Sequence, residues 1–430
     1  MKIIIGHYHL NPGGVTKIIQ SQLNALSHIK DLEIVLVCDG QGRQNIQLPA
    51  NAHFKSHPSL AYLPLLEDPK AFSKVVADIY NFFSSIADTK DIIHFHNIGL
   101  GKNAALSYAM YLLAQKSYKI VNHAHDFPED RPANAAYLKQ SFALLGVDEP
   151  QSILYPLEMD NYHFGVLNSF DRQRLLDLGL PEERVQLWPN PVSIPNINPA
   201  LSKSESKAKI EQALGLESGK MLVAYPVRVI RRKNIGEYIL LAAAFAHKAN
   251  FIVTLPPLNP VEIEAYQQWV AFCQENKIDL CFEAGLKLPF EWVMTGADVC
   301  FSTSIMEGFG MVFVEPWLWG TPVAGRQIPA VLPDLYHLGL SYPLMYDKVE
   351  VEWKNKWVDF PVLSMKEQME AIKAILNSDK SVFLERNQEL THFFNADSVS
   401  FENNNKAIIK KELSELEYGK RLHRLYKALS

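Results

Sequence analysis

The chain begins MKIIIGHYHLNPGGVT, residues 1–16, which joins an apolar run to a glycine pair and then to a helical pattern. Lys2–His7 contains three consecutive isoleucines, and β-branched residues of this kind favour a buried strand. Apolar residues then recur at helical spacing from Val15 to about His28. A strand, a tight turn and a helix in this order predict the first half of a parallel α/β unit.

The same alternation of strand and helix continues along the chain. It predicts parallel sheets that are covered by helices on both faces. The predicted strands are Lys2–His7, Glu33–Cys38, Asp91–His96, Lys119–His125, Phe164–Leu167, Val185–Trp188, Met221–Pro226, Phe251–Leu255, Val299–Ser302 and Pro322–Ala324, and the predicted helices are Val15–His28, Ala71–Ala87, Asn103–Lys116, Asn234–Lys248 and Val261–Asn276.

The length of 430 residues exceeds one ordinary hydrophobic core, so two domains are expected. The stretch WPNPVSIPNINP, residues 188–199, contains four prolines, which end helices and central strands alike. We therefore predict domains over 1–192 and 193–400. Residues 401–430 carry apolar positions at helical spacing, which predicts one long amphipathic terminal helix.

Composition narrows the class of protein. A net charge of −5 gives no electrostatic argument for nucleic acid. The four cysteines are scattered without a CxxC pair, which favours free thiols in a reducing compartment. The apolar start is too short for a signal peptide, and no stretch approaches the roughly 20 apolar residues of a membrane span. We expect a cytoplasmic protein; peripheral membrane contact and oligomeric state stay open.

The glycine pair Gly13-Gly14 is the first candidate ligand site. Glycines at a helix start let a ligand approach the backbone, and the free N–H groups there suit phosphate. The dinucleotide fingerprint GxGxxG is absent. A tight turn without a ligand would have the same sequence.

Two His-x-His pairs end neighbouring predicted strands. IIHFHNIGLGKN, residues 92–103, holds His94 and His96, and NHAHDFPEDRPAN, residues 122–134, holds His123 and His125. Each pair shares one strand face. Three interpretations stay open: a metal site, a polar rim for substrate, and structural core histidines. The metal site needs further ligands after later strands, and the sequence offers no such group.

The second half places cations and carboxylates after its strands. YPVRVIRRKNIGE, residues 225–237, sets Arg228 and Lys233 beside a helix start, where two cations can neutralise a diphosphate; a solvated basic loop is the alternative. We expect the intervening arginines to be solvated. EGFGMVFVE, residues 307–315, predicts a helix from about Met311 that binds an anion, flanked by Glu307 and Glu315. Two surface glutamates at a helix start are the alternative there.

In this order, the glycine pair, the strand-end histidine, WPNPV, Arg-x4-Lys and Glu-x7-Glu resemble the retaining GT-B glycosyltransferases of family 4 (glycosyl transferases group 1). The resemblance covers nearly the whole chain, although PNPVSIP lacks an aspartate often found in that family. It implies an α/β fold of two Rossmann-like, doubly wound domains facing a cleft. Residues 1–192 would bind the acceptor, residues 193–400 would bind the nucleotide sugar, and the terminal helix would cross back to the first domain.

The resemblance also implies a role for each motif. Glu315 would hold the ribose, and Glu307 with the backbone N–H groups of Phe309 to Met311 would hold the transferred sugar. His125 would face the reaction, with His123 as the fallback if the register differs by two. In full, the implied catalytic residues are His125 and Glu307; the donor-binding residues are Gly13, Gly14, Arg228, Lys233, Phe309, Gly310, Met311 and Glu315; and the acceptor-binding residues are His96, Lys102 and Arg131.

The implied reaction moves a hexose from a nucleotide diphosphate sugar to a hydroxyl acceptor with retention, without a cofactor or metal. Lys102 and Arg131 suggest a small anionic acceptor. The segments that contain them, LGKN and HDFPEDRPAN, resemble those of synthases that make glycosylated glycerate-type solutes. A cell-envelope oligosaccharide is the competing acceptor. Alternative functions are a nucleotide-sugar epimerase of the same fold, a metal-dependent hydrolase using His94, His96, His123 and His125, and a non-catalytic sugar-binding protein.

Overall fold

The computed structural model describes residues 1–195, 202–395 and 404–430. These residues form two compact units, Met1–Ser193 with Lys411–Ser430, and Ile194–Lys410. The predicted domain boundary at residue 400 and the last part of the predicted linker lie outside the described residues. The described residues contain no helix with the length and apolarity needed to cross a membrane.

The first unit is built on a parallel sheet with the strand order β3-β2-β1-β4-β5-β6-β7. The order reverses between β1 and β4, and ligands of such sheets bind beyond the carboxyl ends of the strands at this point. Its elements are β1 (Lys2–Gly6), α1 (Gly14–Leu26), β2 (Glu33–Cys38), β3 (Ala52–Ser56), α2 (Pro69–Ile86), β4 (Ile92–His96), α3 (Ala104–Gln115), β5 (Lys119–Ala124), α4 (Pro132–Ala143), α5 (Gln151–Leu154), β6 (Tyr162–Val166), α6 (Ser169–Asp177) and β7 (Val185–Leu187).

The second unit repeats this plan with the order β10-β9-β8-β11-β12-β13, all parallel, so its strand order reverses between β8 and β11. Strands β14 and β15 form an antiparallel hairpin. The elements after β7 are α7 (Lys203–Leu214), β8 (Met221–Arg228), α8 (Ile235–Phe245), β9 (Ala249–Leu255), α9 (Pro260–Glu275), β10 (Leu280–Cys281), α10 (Ala284–Lys287), α11 (Phe290–Gly296), β11 (Val299–Ser302), α12 (Glu315–Leu318), β12 (Val323–Arg326), α13 (Leu332–His337), β13 (Met345–Tyr346), β14 (Glu350–Trp353), β15 (Lys356–Asp359), α14 (Met365–Leu376), α15 (Ser381–Arg386), α16 (Gln388–Asn395), α17 (Asn405–Glu412) and α18 (Glu415–Leu429).

Alternating side chains bury both faces of each sheet. In β1, Ile4 belongs to the core under α2 and α3, whereas Ile3 and Ile5 belong to the core under α1 and α18. In β8, Val223 belongs to the core on one face of the second sheet and Leu222 to the core on the other face. Strands buried on both faces read as continuous apolar runs, which is why the sequence signal was clear. The predicted α/β class with two Rossmann-like units is confirmed.

Two local predictions are wrong. The terminal segment forms two helices, because Ser414 caps α18 by accepting a hydrogen bond from the backbone N–H of Glu417 at 3.4 Å. The helix expected from Met311 is a 3-10 turn over Met311–Phe313, and α12 begins only at Glu315. The second of these helices, α18, packs against α1 of the first unit, in agreement with the prediction that the C-terminal helix crosses back to the first domain.

Candidate functional site

Two cations converge on Glu307 where the strand order of the second sheet reverses. Arg232 Nη1 lies 2.5 Å from Glu307 Oε2, and Lys233 Nζ forms an ion pair with Glu307 Oε1. Lys233 lies in the loop after β8, Glu307 lies in the loop after β11, and 74 residues separate them. The site is thus assembled by the adjacency of β8 and β11. Arg232, which was expected to be solvated, keeps 37% of its side-chain surface exposed while it pairs with Glu307.

The carboxylate of Glu307 is buried, with 6% of its surface exposed. Burial alone would raise its pKa, but the charges of Lys233 and Arg232 outweigh this and hold the pKa of Glu307 below its ordinary value. Glu307 is therefore an ionised group at neutral pH, fixed between two cations. An anionic ligand at the cations has to compete with or adjoin this carboxylate.

The backbone of Lys233 is held in place from three sides. Tyr225 donates its hydroxyl hydrogen to the carbonyl of Lys233, and Thr303 Oγ1 donates to the carbonyls of Lys233 and Asn234 at 3.0 and 2.9 Å. Asn234 adopts a left-handed backbone with φ of 54° and donates its side-chain amide to Glu237. These contacts fix where the Lys233 side chain starts.

A buried charged network lies behind Asn234. Arg326 Nη2 contacts Glu237 Oε2 at 2.6 Å and Asp359 Oδ1 at 2.8 Å, and Tyr346 donates to Glu237 at 2.6 Å. Glu237 is fully buried and Arg326 is nearly so. Sequence reasoning missed this network because its members come from α8, β12, β13 and β15, which share no local motif.

The loop after β11 carries the other predicted donor-binding residues of the second unit. Gly310 has φ of +77°, and a Cβ atom there would lie 2.7 Å from Phe313 Cδ2, so this position requires glycine. Phe309 is buried, and Met311 and Glu315 are half-buried. Within the described part of the chain, no protein acceptor is recorded for the backbone N–H groups of Phe309, Gly310 and Met311. This turn therefore presents N–H groups that suit an anion or a sugar hydroxyl.

Arg228 ends β8 and is exposed, and its Nη1 donates to the carbonyl of Pro256 at 3.2 Å. The cation that shares Glu307 with Lys233 is thus Arg232 rather than Arg228. Arg228 and Lys233 both follow or end β8, as the sequence indicated, and their predicted contact with a diphosphate stays a prediction.

The glycine pair of the first unit begins α1. Gly13 has φ of −177°, an extended backbone that any residue adopts, and a Cβ atom at Gly14 would meet no atom within 4 Å. Neither glycine is required by the fold around it. Open space beside the first backbone N–H groups of a helix is what a bound anion needs.

The four histidines of the two pairs form one buried cluster on the α1 and α18 face of the first sheet. His94, His96 and His123 are fully buried and His125 is 8% exposed. His96 and His123 are cross-strand partners of β4 and β5, and their rings stack with centroids 4.7 Å apart. His125 continues the stack, 4.4 Å from His123.

A hydrogen-bond network connects this cluster to both flanking helices. Gln22 on α1 bonds to His96 Nε2 at 2.8 Å and donates to Tyr426 Oη on α18 at 3.1 Å. His96 Nδ1 lies 2.8 Å from His125 Nε2, and Tyr426 Oη lies 2.6 Å from His94 Nδ1. Burial lowers the pKa of His94 and of His125 to about 3, so these rings are neutral at pH 7.

Three of these rings have nitrogens close enough to hold a metal ion, because the ligand atoms of His94, His96 and His123 lie within 4.8 Å of one another. Both nitrogens of His94 and of His96 already have protein partners, however. The rings of His96 and His123 are within 27° of parallel, so they face each other instead of directing lone pairs at one point. The geometry does not favour the metal-dependent hydrolase.

The burial of His96 also bears on its predicted contact with an acceptor. Both of its nitrogens are engaged, and the ring reaches the loops only through His125. His125 begins the loop after β5, where Asn97 Oδ1 accepts the backbone N–H of His125 at 2.7 Å. Asn97 itself has φ of 63° and follows β4 directly.

The two predicted acceptor cations lie on loops beyond the same strand ends. Arg131 Nη2 contacts Asp126 Oδ1 at 2.9 Å, and Lys102 Nζ lies 5.6 Å above the ring of Tyr62. Burial and the neighbouring charge of Arg131 lower the pKa of Lys102. The structure thus brings Lys102, Arg131 and Asp126 into one charged group near His125.

Comparisons with known proteins agree with this architecture. No family model matches the chain. A mannosylglucosyl-3-phosphoglycerate synthase from Petrotoga mobilis is 27% identical over 415 residues, which cover 93% of this chain and 78% of the synthase. Sucrose-phosphate synthase from Thermosynechococcus elongatus superposes with a TM-score of 0.63 at 15% identity, covering 100% of this chain and 99% of the other. HepE from Anabaena, in complex with UDP-glucose, superposes with a TM-score of 0.60 at 15% identity over 100% of both chains.

These solved structures are GT-B glycosyltransferases, so the likeness establishes the GT-B fold. The relationship to the synthase adds a sequence match over nearly the whole chain. Together, the fold and the sequence relative support a glycosyltransferase with the GT-B fold.

Proposed function

We propose that the protein transfers a hexose from a nucleotide diphosphate sugar to a hydroxyl group of a small anionic acceptor, with retention of the anomeric configuration. The observation that carries this proposal is the buried Glu307 held by Arg232 and Lys233 where the second parallel sheet reverses its strand order. This is the position at which a sheet of this type binds a nucleotide.

The cations match the chemistry of the leaving group. Departure of a nucleotide diphosphate leaves negative charge on phosphate oxygens, and fixed cations stabilise that charge as it develops. Arg232 and Arg228 supply guanidinium groups, and Lys233 supplies a point charge on a rigid backbone. Glu307, already ionised, accepts hydrogen bonds from hydroxyls of the transferred sugar, and Glu315 accepts them from the ribose.

Retention is proposed to occur by attack of the acceptor on the face that the leaving group departs from. The leaving phosphate oxygen then takes the acceptor proton, so no carboxylate nucleophile is needed. The contacts of Glu307 with two cations support this, because a carboxylate neutralised in this way is a poor nucleophile and a poor general acid.

The acceptor is proposed to be a phosphorylated or carboxylated glycerate derivative. Two observations support it: Lys102 and Arg131 lie in one charged group near His125, and the sequence relative is named for a product that contains 3-phosphoglycerate. In this proposal, the two cations bind the acceptor anion while His125 contacts its hydroxyl group.

The test compares variants that remove one positive charge each from the same basic run. Isothermal titration with UDP-glucose and GDP-mannose identifies the donor, and the titration is repeated with Lys233→Ala and with Arg231→Ala. Arg231 is exposed, so its variant is the matched control. We expect at least a tenfold weaker donor affinity for Lys233→Ala and no change for Arg231→Ala, because Lys233 contacts Glu307 in the site whereas Arg231 is exposed. Equal affinities in the two variants would contradict the assignment.

The two glutamates are separated by a second comparison. Glu315→Ala is expected to weaken binding of the bare nucleoside diphosphate, since it removes the ribose contact. Glu307→Ala is expected mainly to lower kcat, since it removes the contact with the transferred sugar. The same loss of nucleotide affinity in both variants would refute this division.

A further inference from the structure

In the buried histidine network, the donor and the acceptor of each hydrogen bond follow from one another, and this order sets which nitrogen of His125 carries the proton. A glutamine carbonyl oxygen only accepts hydrogen bonds, so His96 Nε2, which lies 2.8 Å from Gln22 Oε1, carries a hydrogen. Burial lowers the pKa of His96 well below its ordinary value, so the ring is neutral and its Nδ1 has a free lone pair.

The next bond follows from this. His125 Nε2 lies 2.8 Å from His96 Nδ1, and a lone pair on His96 requires His125 Nε2 to donate. His125 is neutral as well, because burial lowers its pKa to about 3. Its Nδ1 is therefore unprotonated. Among the described residues, no protein group hydrogen-bonds to this nitrogen.

The Gln22 amide also contacts the terminal helix. Gln22 Nε2 donates to Tyr426 Oη at 3.1 Å, and Tyr426 in turn lies 2.6 Å from His94 Nδ1. Gln22 is fully buried on α1, one helical turn from the buried Ile18, Ile19 and Leu26. In this orientation both ends of the buried amide have partners, which a buried polar group requires.

From this geometry we infer that Gln22 is a positioning residue, which acts through His96 to hold His125 in the Nε2–H form with Nδ1 free to accept a hydrogen bond from a substrate hydroxyl. Only the contact with a substrate hydroxyl rests on the proposed function. The tautomer of His125 is a property of the free protein. A hydroxyl donor is the chemical partner that this nitrogen selects, because an unprotonated nitrogen cannot donate to a phosphate or carboxylate oxygen.

The test uses ¹⁵N-histidine NMR on the full chain, in which ring-nitrogen shifts and couplings identify the tautomer. The His125 signal is assigned by its loss in His125→Gln. We expect the Nε2–H form in the unmodified protein. In Gln22→Leu we expect a mixture of tautomers and a fall in kcat of about three- to tenfold, the effect of one lost hydrogen bond, with the donor KM unchanged.

Leu23→Ala is the matched structural control, because Leu23 is a neighbouring, fully buried residue of α1. It should lower the melting temperature while leaving the His125 tautomer and kcat as they were. An Nδ1–H form of His125 in the unmodified protein would overturn the inference, and this measurement needs no variant to fold. A tautomer unaffected by Gln22→Leu would also overturn it. Absence of transfer activity with a confirmed Nε2–H form would instead refute the proposed function.

Discussion

Acidification is expected to destabilise the first unit through its buried histidines. The pKa of His94 and of His125 is lowered by burial to about 3, and that of His7 to about 4. In the unfolded chain a histidine has a pKa of about 6.5. The unfolded state therefore binds more protons than the folded state below this value, and stability falls as the pH falls.

The magnitude follows from the two protonation equilibria. Between pH 7.0 and pH 5.5, an unfolded histidine gains about 1.3 kcal/mol from proton binding, while a folded one with a pKa near 3 or 4 gains almost nothing. These three residues destabilise the unit by about 4 kcal/mol. His96 and His123, whose pKa values burial also lowers, add to this loss. This is a large part of the roughly 5–15 kcal/mol that stabilises a typical domain.

Hydrogen exchange with mass spectrometry measures this effect where it arises. Peptides that contain β4 and β5 report the free energy of opening of the first sheet, once the intrinsic exchange rates are corrected for pH. His94→Gln should reduce the loss of opening free energy between pH 7.0 and pH 5.5 by about 1.3 kcal/mol, because one proton-binding site is removed from the unfolded chain. The exposed His53 on β3 gives the control variant His53→Gln, which should keep the full loss. An opening free energy that is equal at the two pH values would refute the account of the cluster.

Three further predictions concern the ligand sites and the buried charges. Gly14→Ala should leave the fold intact, or stabilise α1 by up to about 1 kcal/mol, while raising a substrate KM, because its Cβ meets no protein atom but occupies the open space. Arg326→Met should cost about 3–5 kcal/mol in urea denaturation, because it leaves Glu237 buried without its cation. Lys102→Ala combined with Arg131→Ala should raise the acceptor KM at least tenfold and leave the donor KM unchanged in steady-state assays.

Each of these has a result that contradicts it. Unchanged KM values for both substrates in Gly14→Ala would remove the glycine turn from the site. A mild effect of Arg326→Met, equal to that of Arg326→Met combined with Glu237→Leu, would show that the charges are not coupled. For the acceptor cations, Lys139→Ala is the control, because it removes one exposed positive charge from α4 of the same unit, and an equal effect of this variant would contradict the assignment.

The sequence was sufficient for the features that depend on local periodicity. The apolar runs of β1, β8 and β11 and the loops after them placed Gly13, Lys233 and Glu307 at the carboxyl ends of strands, where the structure has them. The contact between Lys233 and Glu307 was not predicted, because it depends on β8 and β11 being neighbours in the sheet. For the same reason Arg232 was assigned to solvent.

The histidine network shows a different limit. The period-two spacing predicted that His94 and His96 share a strand face, and they do. Their partner Tyr426 lies 332 residues from His94, on a helix whose register could not be read from charge spacing alone. One signal was present in the sequence: Gln22 is a polar residue among Ile18, Ile19 and Leu23 on the apolar stripe of α1.

The central claim is transfer of a sugar from a nucleotide donor to a small anionic acceptor, and product analysis tests it most directly. The protein is incubated with UDP-glucose or GDP-mannose and with 3-phosphoglycerate or its glycosides, and the products are identified by mass spectrometry and by the anomeric NMR signal. The account predicts an acceptor that is heavier by one hexose, with the anomeric configuration of the donor, and loss of this product in Lys233→Ala. Release of free sugar without any glycosylated acceptor, or an inverted product, would contradict it.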